Sequence, residues 1–276
     1  MTPLAGGPFA PTFHLMTSCP APYPDCPVRP TANDGASGFV HSFHTGSVVD
    51  GPGVRFVLWT TGCLMRCLYC HNPDTWHMKH GQPTTVEAMM AEIGKYERVL
   101  KTMGGGVTIS GGEPLVQAPF VTALFRACKA LGLHTVLDTN GYLGHRITDE
   151  ELEDVDLVLL DIKSFDPDTH RRTTGYPVDD VLAFARRLSD LGKPTWIRFV
   201  LVPGLTDDPA NVDGLAAFVA TLDNVERVEV LPFHQMGRDK WERLGRPYPL
   251  ADTQPPDDAL VARVRDQFRA HSLPVR

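Results

Sequence analysis

The sequence predicts an α/β fold, a partial (β/α)6 barrel with parallel strands. Six short and almost wholly apolar segments alternate with segments in which apolar residues recur at helical spacing. Parallel strands that are covered on both faces have this continuous apolar character, and helical crossovers connect them. Six units are too few for a closed eight-stranded barrel, and the functional groups of such folds lie at the carboxyl ends of the strands.

The elements follow one another in a regular order. The six predicted strands cover residues 54–60, 107–110, 135–138, 157–162, 196–202 and 228–231. The predicted helices cover residues 86–103, 120–131, 149–155, 181–191, 212–222 and 260–268. Thr84 and Glu87 form a capping-box pattern that predicts the start of the first helix. Glycines at 104–106, 132 and 192 predict the ends of three helices.

Two regions of the chain differ in composition. Residues 1–36 hold eight prolines within their first 30 positions and carry little charge, which predicts a disordered, Pro-rich extension. Residues 37–276 are expected to form one domain, because barrels of this size are routinely single domains. Cys19 and Cys26 lie in the extension and are interpreted as free thiols, with extra metal ligands or a redox pair as alternatives.

Charge and hydropathy exclude several classes of function. The formal net charge is −7 and no run of Lys or Arg is present, so nucleic-acid binding is not expected. No apolar run reaches the roughly 18 residues that a membrane span needs. A secretory signal is not recognisable either. The sequence therefore predicts a cytoplasmic protein in a reducing compartment, where clustered cysteines bind metals rather than form disulfides.

Three cysteines, Cys63, Cys67 and Cys70, lie within eight residues directly after the first predicted strand. Iron–sulfur clusters are normally held by four Cys thiolates, so three thiolates leave one iron open to a small molecule. The alternative is a structural zinc site, which needs four ligands and would take His71 as the fourth. Cys128 falls on the apolar face of a predicted helix and is interpreted as inert packing, with a distant fourth ligand as the alternative.

Polar residues end the other predicted strands, and each also has a simpler explanation. The candidate ligand-binding residues are Gly112, Asp138, Asp161, Lys163, Arg198 and His234. Gly111-Gly112-Glu113-Pro114 could be a tight turn, Asp138 could cap the turn that follows it, and Asp161 with Lys163 could be an ion pair. Arg198 lies in an apolar strand and needs an anionic partner.

The motifs resemble those of the radical S-adenosylmethionine (SAM) enzymes, and within them the activating enzymes of pyruvate formate-lyase. The resemblance covers the chain from about Phe39 onward. The matching segments begin at Asp50 (Asp-Gly-Pro-Gly-Val-Arg-Phe), Gly62 (Gly-Cys-Leu-Met-Arg-Cys-Leu-Tyr-Cys-His-Asn), Gly104 (Gly-Gly-Gly-Val-Thr), Leu137 (Leu-Asp-Thr-Asn-Gly) and Leu231 (Leu-Pro-Phe-His), and Cys128 matches singly.

The resemblance implies the cofactors and the roles of the site residues. The three cysteines would bind a [4Fe–4S] cluster, and SAM would bind the open iron and be cleaved by one electron. The resulting radical would remove a hydrogen atom from a glycine of pyruvate formate-lyase under anaerobic conditions, so no general base is assigned. The residues implied to contact SAM are Tyr69, Cys70, His71, Gly112, Asp161, Ile162, Lys163, Arg198 and His234. Asp138 and Asp161 also match a monovalent-cation site, although Leu159 stands where a Met ligand is expected.

The resemblance also implies an electron donor and an oligomeric state, and it leaves other functions open. Flavodoxin or ferredoxin is the expected reductant, and a monomer is the expected state. Between Cys70 and Gly111 the chain has no second, ferredoxin-like cysteine cluster, which favours the pyruvate formate-lyase type. The alternatives are an activase of another glycyl radical enzyme such as anaerobic ribonucleotide reductase, a radical SAM enzyme for a small molecule, and a zinc or electron-transfer module without catalysis.

Overall fold

The computed structural model describes residues 37–276, and the predicted extension with Cys19 and Cys26 lies outside them. The described residues form one sheet with the strand order β3-β1-β2-β4-β5-β6-β7-β8. The strands are β1 (Ser37–Ser47), β2 (Arg55–Thr60), β3 (Gln82–Thr85), β4 (Gly106–Gly111), β5 (His134–Thr139), β6 (Leu157–Asp161), β7 (Thr195–Leu201) and β8 (Val225–Pro232).

Six of these strands, β2 and β4 to β8, pair in parallel with their neighbours. They are the six strands that the apolar segments predict, and the sheet does not close on itself, so the predicted partial barrel is confirmed. The sequence prediction missed β1 and β3, which pair antiparallel with each other at one edge. Of the residues in β1 only Gly38 and Val40 are buried, so this strand carries no apolar pattern.

The helices in this part of the chain are α1 (Val86–Gly94), α2 (Glu97–Thr102), α3 (Ala118–Ala130), α4 (Asp149–Leu152), α5 (Pro167–Thr174), α6 (Asp179–Asp190), α7 (Pro209–Val219), α8 (Arg238–Arg243) and α9 (Asp258–Ala270). The single helix predicted over 86–103 is wrong, because the chain breaks into α1 and α2 at Lys95 and Tyr96. The predicted capping box is also wrong: Thr85, not Thr84, caps α1 by accepting from the Ala88 amide at 3.1 Å. The short polar helices α5 and α8 were not predicted.

The parallel strands have two different faces. One face packs against helices in the main core, through residues such as Val107, Ile109, Leu137, Val158, Leu160, Ile197 and Phe199. Successive side chains of a strand point to opposite faces, so the neighbouring residues face the inside of the partial barrel. A separate apolar group lies there, formed by Val136, Leu157, Leu159 and Trp196. Toward the carboxyl ends of the strands this inner face becomes polar.

Candidate active site

The cysteine loop, residues 63–70, follows β2 and is fixed by backbone hydrogen bonds to distant parts of the chain. The Cys63 amide donates to the Trp76 carbonyl at 3.1 Å. The amides of Arg66 and Leu68 donate to the last two carbonyls of α5, those of Thr174 at 2.9 Å and Thr173 at 3.0 Å. The unpredicted helix α5 therefore holds the middle of the loop in place.

The loop also folds around its own arginine. The Nη1 atom of Arg66 donates to three successive carbonyl oxygens, those of Cys63 at 2.6 Å, Leu64 at 3.0 Å and Met65 at 2.9 Å. Its guanidinium lies 4.9 Å from the ring centre of Trp76, in cation–π contact. These contacts fix the path of the backbone between the first two cysteines.

The three thiols of this loop are free; Cys63 is buried, whereas Cys67 and Cys70 are half-buried. Burial raises the pKa of Cys63 well above its usual value, that of Cys67 to about 12, and that of Cys70 above its usual value. A thiolate is the metal-binding form, so cationic irons would be needed to hold these sulfurs deprotonated. The donor set thus fits a cluster bound by three thiolates.

Across residues 37–276, no three His, Cys, Asp or Glu side chains converge as ligands of a single metal ion. Thiolates of a four-iron cluster bind different irons and surround the cluster, so they need not meet at one point. Cys128 lies apart from the triad. It is fully buried as predicted, and its sulfur contacts that of Met90 at 3.8 Å.

The Gly-Gly-Glu-Pro turn after β4 lies directly against the cysteine loop. A Cβ atom on Gly112 would lie 2.5 Å from the Gly62 carbonyl oxygen, so only glycine fits this close approach. The Glu113 amide donates to the same carbonyl at 2.8 Å. Gly112, a predicted site residue, is therefore brought beside the triad by packing that excludes any side chain.

Glu113 is a buried residue that the sequence prediction placed in the turn beside Gly112 without a separate role of its own. Only 2% of its surface is exposed. Its carboxylate accepts hydrogen bonds from the Leu115 amide at 3.0 Å, the Thr139 hydroxyl at 2.7 Å and the Asn140 amide at 2.8 Å. Burial raises its pKa to about 7, against the effect of these donors. Glu113 ties the turn after β4 to the loop after β5, a contact that no local pattern reveals.

Charged residues meet on the inner face of the sheet. Arg198 lies 3.5 Å from the Asp138 carboxylate and 3.1 Å from that of Glu229, which supplies the predicted anionic partners. Ser110 donates to Asp138 at 2.6 Å. Burial raises the pKa of Asp138 to about 6, although Arg198 acts in the opposite direction. Burial alone would lower the pKa of Arg198, but the surrounding carboxylates outweigh it and raise that pKa.

Lys163 connects this charged group to the cysteine loop. It donates to Asp161 at 2.6 Å, so the simpler explanation of these two residues, an ion pair, is realised. Its Nζ atom lies 5.8 Å from the ring centre of Tyr69, and its charge acts on the Cys67 thiol. Ile162 between them is fully buried in the main core. Most of the predicted site residues thus surround one region at the strand ends.

The segment after β8 covers the last cysteine. The rings of His71 and His234 are in contact, with centres 4.2 Å apart. The indole of Trp241 in α8 donates to the Cys70 carbonyl at 2.9 Å. A Cβ atom on Gly237 would lie 2.8 Å from the His71 Cα atom, so this segment approaches the loop closely. The predicted residue His234 therefore lies next to the triad.

The connection between β1 and β2 reaches the charged inner face. The Val49 carbonyl accepts a hydrogen bond from Arg198 at 2.6 Å, and the Asp50 carbonyl accepts one from Thr108 at 2.6 Å. The side chain of Val49 stays exposed. Arg198 thus binds both a buried carboxylate and an exposed loop of the same molecule.

The comparison with family models defines the class of protein. Residues 57–213 match the model of the radical SAM superfamily, which is more than half of the chain and includes the cysteine loop, Gly112 and the ends of β4 to β7. The class that the fold and the site indicate is therefore that of the radical SAM enzymes.

The relatives narrow this class. Over 231 residues the chain is 49% identical to a pyruvate formate-lyase-activating enzyme of Staphylococcus epidermidis and 48% identical to one of Staphylococcus aureus, with 81% of this chain and 92% of each relative covered. The chain belongs to the family of pyruvate formate-lyase-activating enzymes, and it is an enzyme.

Solved structures agree with the fold. A domain of a pyruvate-formate lyase-activating enzyme from Bacteroides vulgatus superposes with a TM-score of 0.53 and 27% identity, covering 63% of this chain and 98% of that one. A radical SAM methyltransferase from Sphaerobacter thermophilus gives a TM-score of 0.60 at 19% identity, covering 80% of this chain and 65% of that one. The second likeness concerns the fold alone. Within the described residues, no helix has the length and apolar character needed to traverse a bilayer.

Proposed function

We propose that this chain activates pyruvate formate-lyase by forming a glycyl radical on it. The observation that carries the proposal is the cysteine loop, whose three free thiols lie beside a polar inner face in a chain 49% identical to an enzyme of that name. When bound, a [4Fe–4S] cluster and SAM supply the one-electron chemistry and the hydrogen abstraction. The protein holds both groups and shields them from water and from other reactants.

The cluster would be held by Cys63, Cys67 and Cys70. Their contribution is geometric as well as electrostatic, because hydrogen bonds from the loop amides to Trp76 and α5 fix the backbone that carries the sulfurs. Hydrogen bonds that hold the residues around a metal ligand orient that ligand. Three thiolates leave the fourth iron for SAM.

SAM would be held between the cysteine loop and the strand ends. The residues proposed to contact it are Tyr69, Cys70, His71, Gly112, Asp138, Asp161, Ile162, Lys163, Arg198 and His234. Most of them lie around one region, with Lys163 close to Tyr69 and His71 in contact with His234. The hydroxyl of Tyr69 is buried and has no hydrogen-bond partner among residues 37–276, so a ligand could bind it.

Asp138 and Asp161 are proposed to hold a monovalent cation beside SAM. Their mutual repulsion contributes to the raised pKa of Asp138, and a cation between them would relieve it. Replacing potassium by tetramethylammonium should then weaken SAM binding, and the substitution Leu159→Met should strengthen the potassium dependence. Equal binding in both salts would contradict this assignment.

The reaction is proposed to take place in the cytoplasm, with the enzyme acting as a monomer and receiving its electron from flavodoxin or ferredoxin. The net charge of −7 and the family membership support a protein partner rather than nucleic acid. Chromatography with light scattering checks the monomer, and reduction of the cluster by either carrier checks the electron donor.

The central experiment is anaerobic reconstitution with iron and sulfide, followed by addition of SAM, a reductant and pyruvate formate-lyase. We expect a glycyl radical signal in electron paramagnetic resonance (EPR) spectra. The control is the Cys63→Ala variant treated in the same way, which should give no signal. A wild-type enzyme that binds the cluster and cleaves SAM but leaves pyruvate formate-lyase unchanged would refute this partner.

A further inference from the structure

The side chain of Asn140 points at the first cysteine of the triad. Its Nδ2 atom lies 3.9 Å from the Cys63 sulfur, within reach of a hydrogen bond to this large atom. Asn140 is 9% exposed, so water does not compete freely for this contact. Neither the family pattern nor the strand-end rule assigned a role to this side chain.

The orientation of the Asn140 amide is fixed by its other contacts. Its Oδ1 atom accepts a hydrogen bond from the Tyr142 amide at 3.0 Å. A flipped amide would set its NH2 group against that N–H, donor against donor, so the NH2 group must face Cys63. The backbone amide of Asn140 is held in turn by the Glu113 carboxylate at 2.8 Å. The loop after β5 is thus fixed on both sides of the contact.

We propose that Asn140 is a positioning residue that donates a hydrogen bond to the Cys63 sulfur and thereby raises the reduction potential of the cluster. The inference rests on the proposed function, because it requires the cluster to be bound at Cys63. Reduction adds negative charge to a cluster and its sulfurs. A donor to sulfur stabilises the reduced form more than the oxidised form, so hydrogen bonds to sulfur help to set the potentials of such clusters.

Two substitutions separate this role from a structural one. Asn140→Ser and Asn140→Asp both keep an oxygen that can accept from the Tyr142 amide, so the turn is preserved. Neither presents a donor that reaches Cys63, because serine is too short and aspartate has no N–H group. Aspartate also adds a negative charge near the sulfur, so its effect should be the larger one.

The measurement is a potentiometric titration of the reconstituted full-length chain, followed by EPR spectra of the reduced cluster. At a fixed solution potential we expect Asn140→Ser to lower the ratio of reduced to oxidised cluster about tenfold, which equals about 59 mV for a one-electron couple. Asn140→Asp should lower it further. A potential is a property of the molecules that carry cluster, so incomplete reconstitution leaves it measurable.

The matched control is Asn224→Ser. Asn224 also donates from its side chain, to the Lys193 carbonyl at 2.6 Å and the Thr195 hydroxyl at 3.0 Å, but it lies directly before β8, at the amino-terminal end of the strands. This variant should lose stability and keep the wild-type potential. An unchanged potential in both Asn140 variants, or an equal shift in Asn224→Ser, would overturn the inference. Absence of any [4Fe–4S] signal in the wild type would instead refute the proposed function.

Discussion

On β6, Leu160 packs into the main core against the helices, whereas its neighbours Leu159 and Asp161 face the inside of the partial barrel. The same alternation holds on β5, where Leu137 joins the main core and Asp138 pairs with Arg198 on the inner face. One face of each strand is apolar along its length. The other changes from apolar to charged toward the carboxyl end.

This difference shows that the two faces of the same strands have different roles: one stabilises the fold and the other carries the groups of the candidate site. Apolar surface buried against helices stabilises the fold without specific geometry. Buried charges are costly unless they are paired, so they persist where ligand binding needs them. We call the face that packs against the helices the outer face. Substitutions on the outer face should therefore lower stability, whereas substitutions on the inner face or in the adjoining cysteine loop should lower activity. The predictions below test that division, from the largest expected effect to the smallest.

The cysteines provide the sharpest contrast. Alanine at Cys63, Cys67 or Cys70 should abolish reductive cleavage of SAM, measured as release of methionine, because a cluster ligand is lost. Alanine at Cys128, which lies in the main core, should leave cleavage of SAM intact and lower the free energy of unfolding by about 1 kcal/mol or more. Cleavage of SAM by any of the three triad variants would contradict the ligand assignment.

Leu160 tests the outer face alone. Leu160→Ala removes a fully buried side chain from the main core and should lower the free energy of unfolding by roughly 2–5 kcal/mol, measured by urea denaturation. The matched control is Leu159→Met on the inner face, a swap of similar volume that should cost less than about 1.5 kcal/mol. A smaller loss for Leu160→Ala than for Leu159→Met would break the division between the faces.

Glu113 predicts a dependence of stability on pH. Burial raises its pKa from an ordinary value of 4.5 to about 7, so the folded protein holds this proton more tightly than the unfolded chain does. The resulting stabilisation is fully present below pH 4.5 and is lost as the pH rises through 7. Across that window Glu113 should lower the free energy of unfolding by roughly 3 kcal/mol.

The variant Glu113→Gln isolates this contribution. It should show a flatter decline in stability between pH 4.5 and 7 than the wild type, in urea denaturation of the protein without cluster. Parallel pH profiles for the two proteins would show that Glu113 is ionised at low pH in the fold.

The smallest expected effect is the loss of stability on substitution of Asp74, which lies at the rim of the site. Burial raises its pKa, but hydrogen bonds from His41 and Lys240 outweigh burial and lower it to about 2. The group is partly exposed, so Asp74→Asn should cost less than about 1 kcal/mol near neutral pH, and less still in high salt. Asp266→Asn, which removes an exposed pair with Arg269, should cost almost nothing. Equal costs would show that the Asp74 group adds nothing to stability.

The sequence predicts those features that depend on local pattern. The six parallel strands are found because continuous apolar runs are required for burial on both faces, and their ends differ from the predictions by a few residues at most. β1 and α5 carry no such run, because most of β1 is not buried and α5 contributes mainly backbone carbonyls. The cysteines are found because ligand spacing is itself a local pattern.

Other parts of the site depend on contacts between residues that are far apart in the chain. Glu113 in a turn and Asn140 in a loop are ordinary residues for such positions. Their importance follows only from contacts with Thr139 and Cys63, which the fold creates. The role of Arg66 could not be predicted from the sequence either. Nothing in the neighbouring residues indicates that three carbonyl oxygens accept hydrogen bonds from its guanidinium.

That arrangement around Arg66 has a consequence for how the enzyme matures. The hydrogen bonds that shape the cysteine loop join protein groups to one another, so iron is not the only constraint on the path of its backbone. Small zinc domains, in contrast, gain their structure only when the metal binds. Binding of a cluster should therefore restrict the backbone between Cys63 and Cys67 little further, because hydrogen bonds to Arg66, Trp76 and α5 already constrain it.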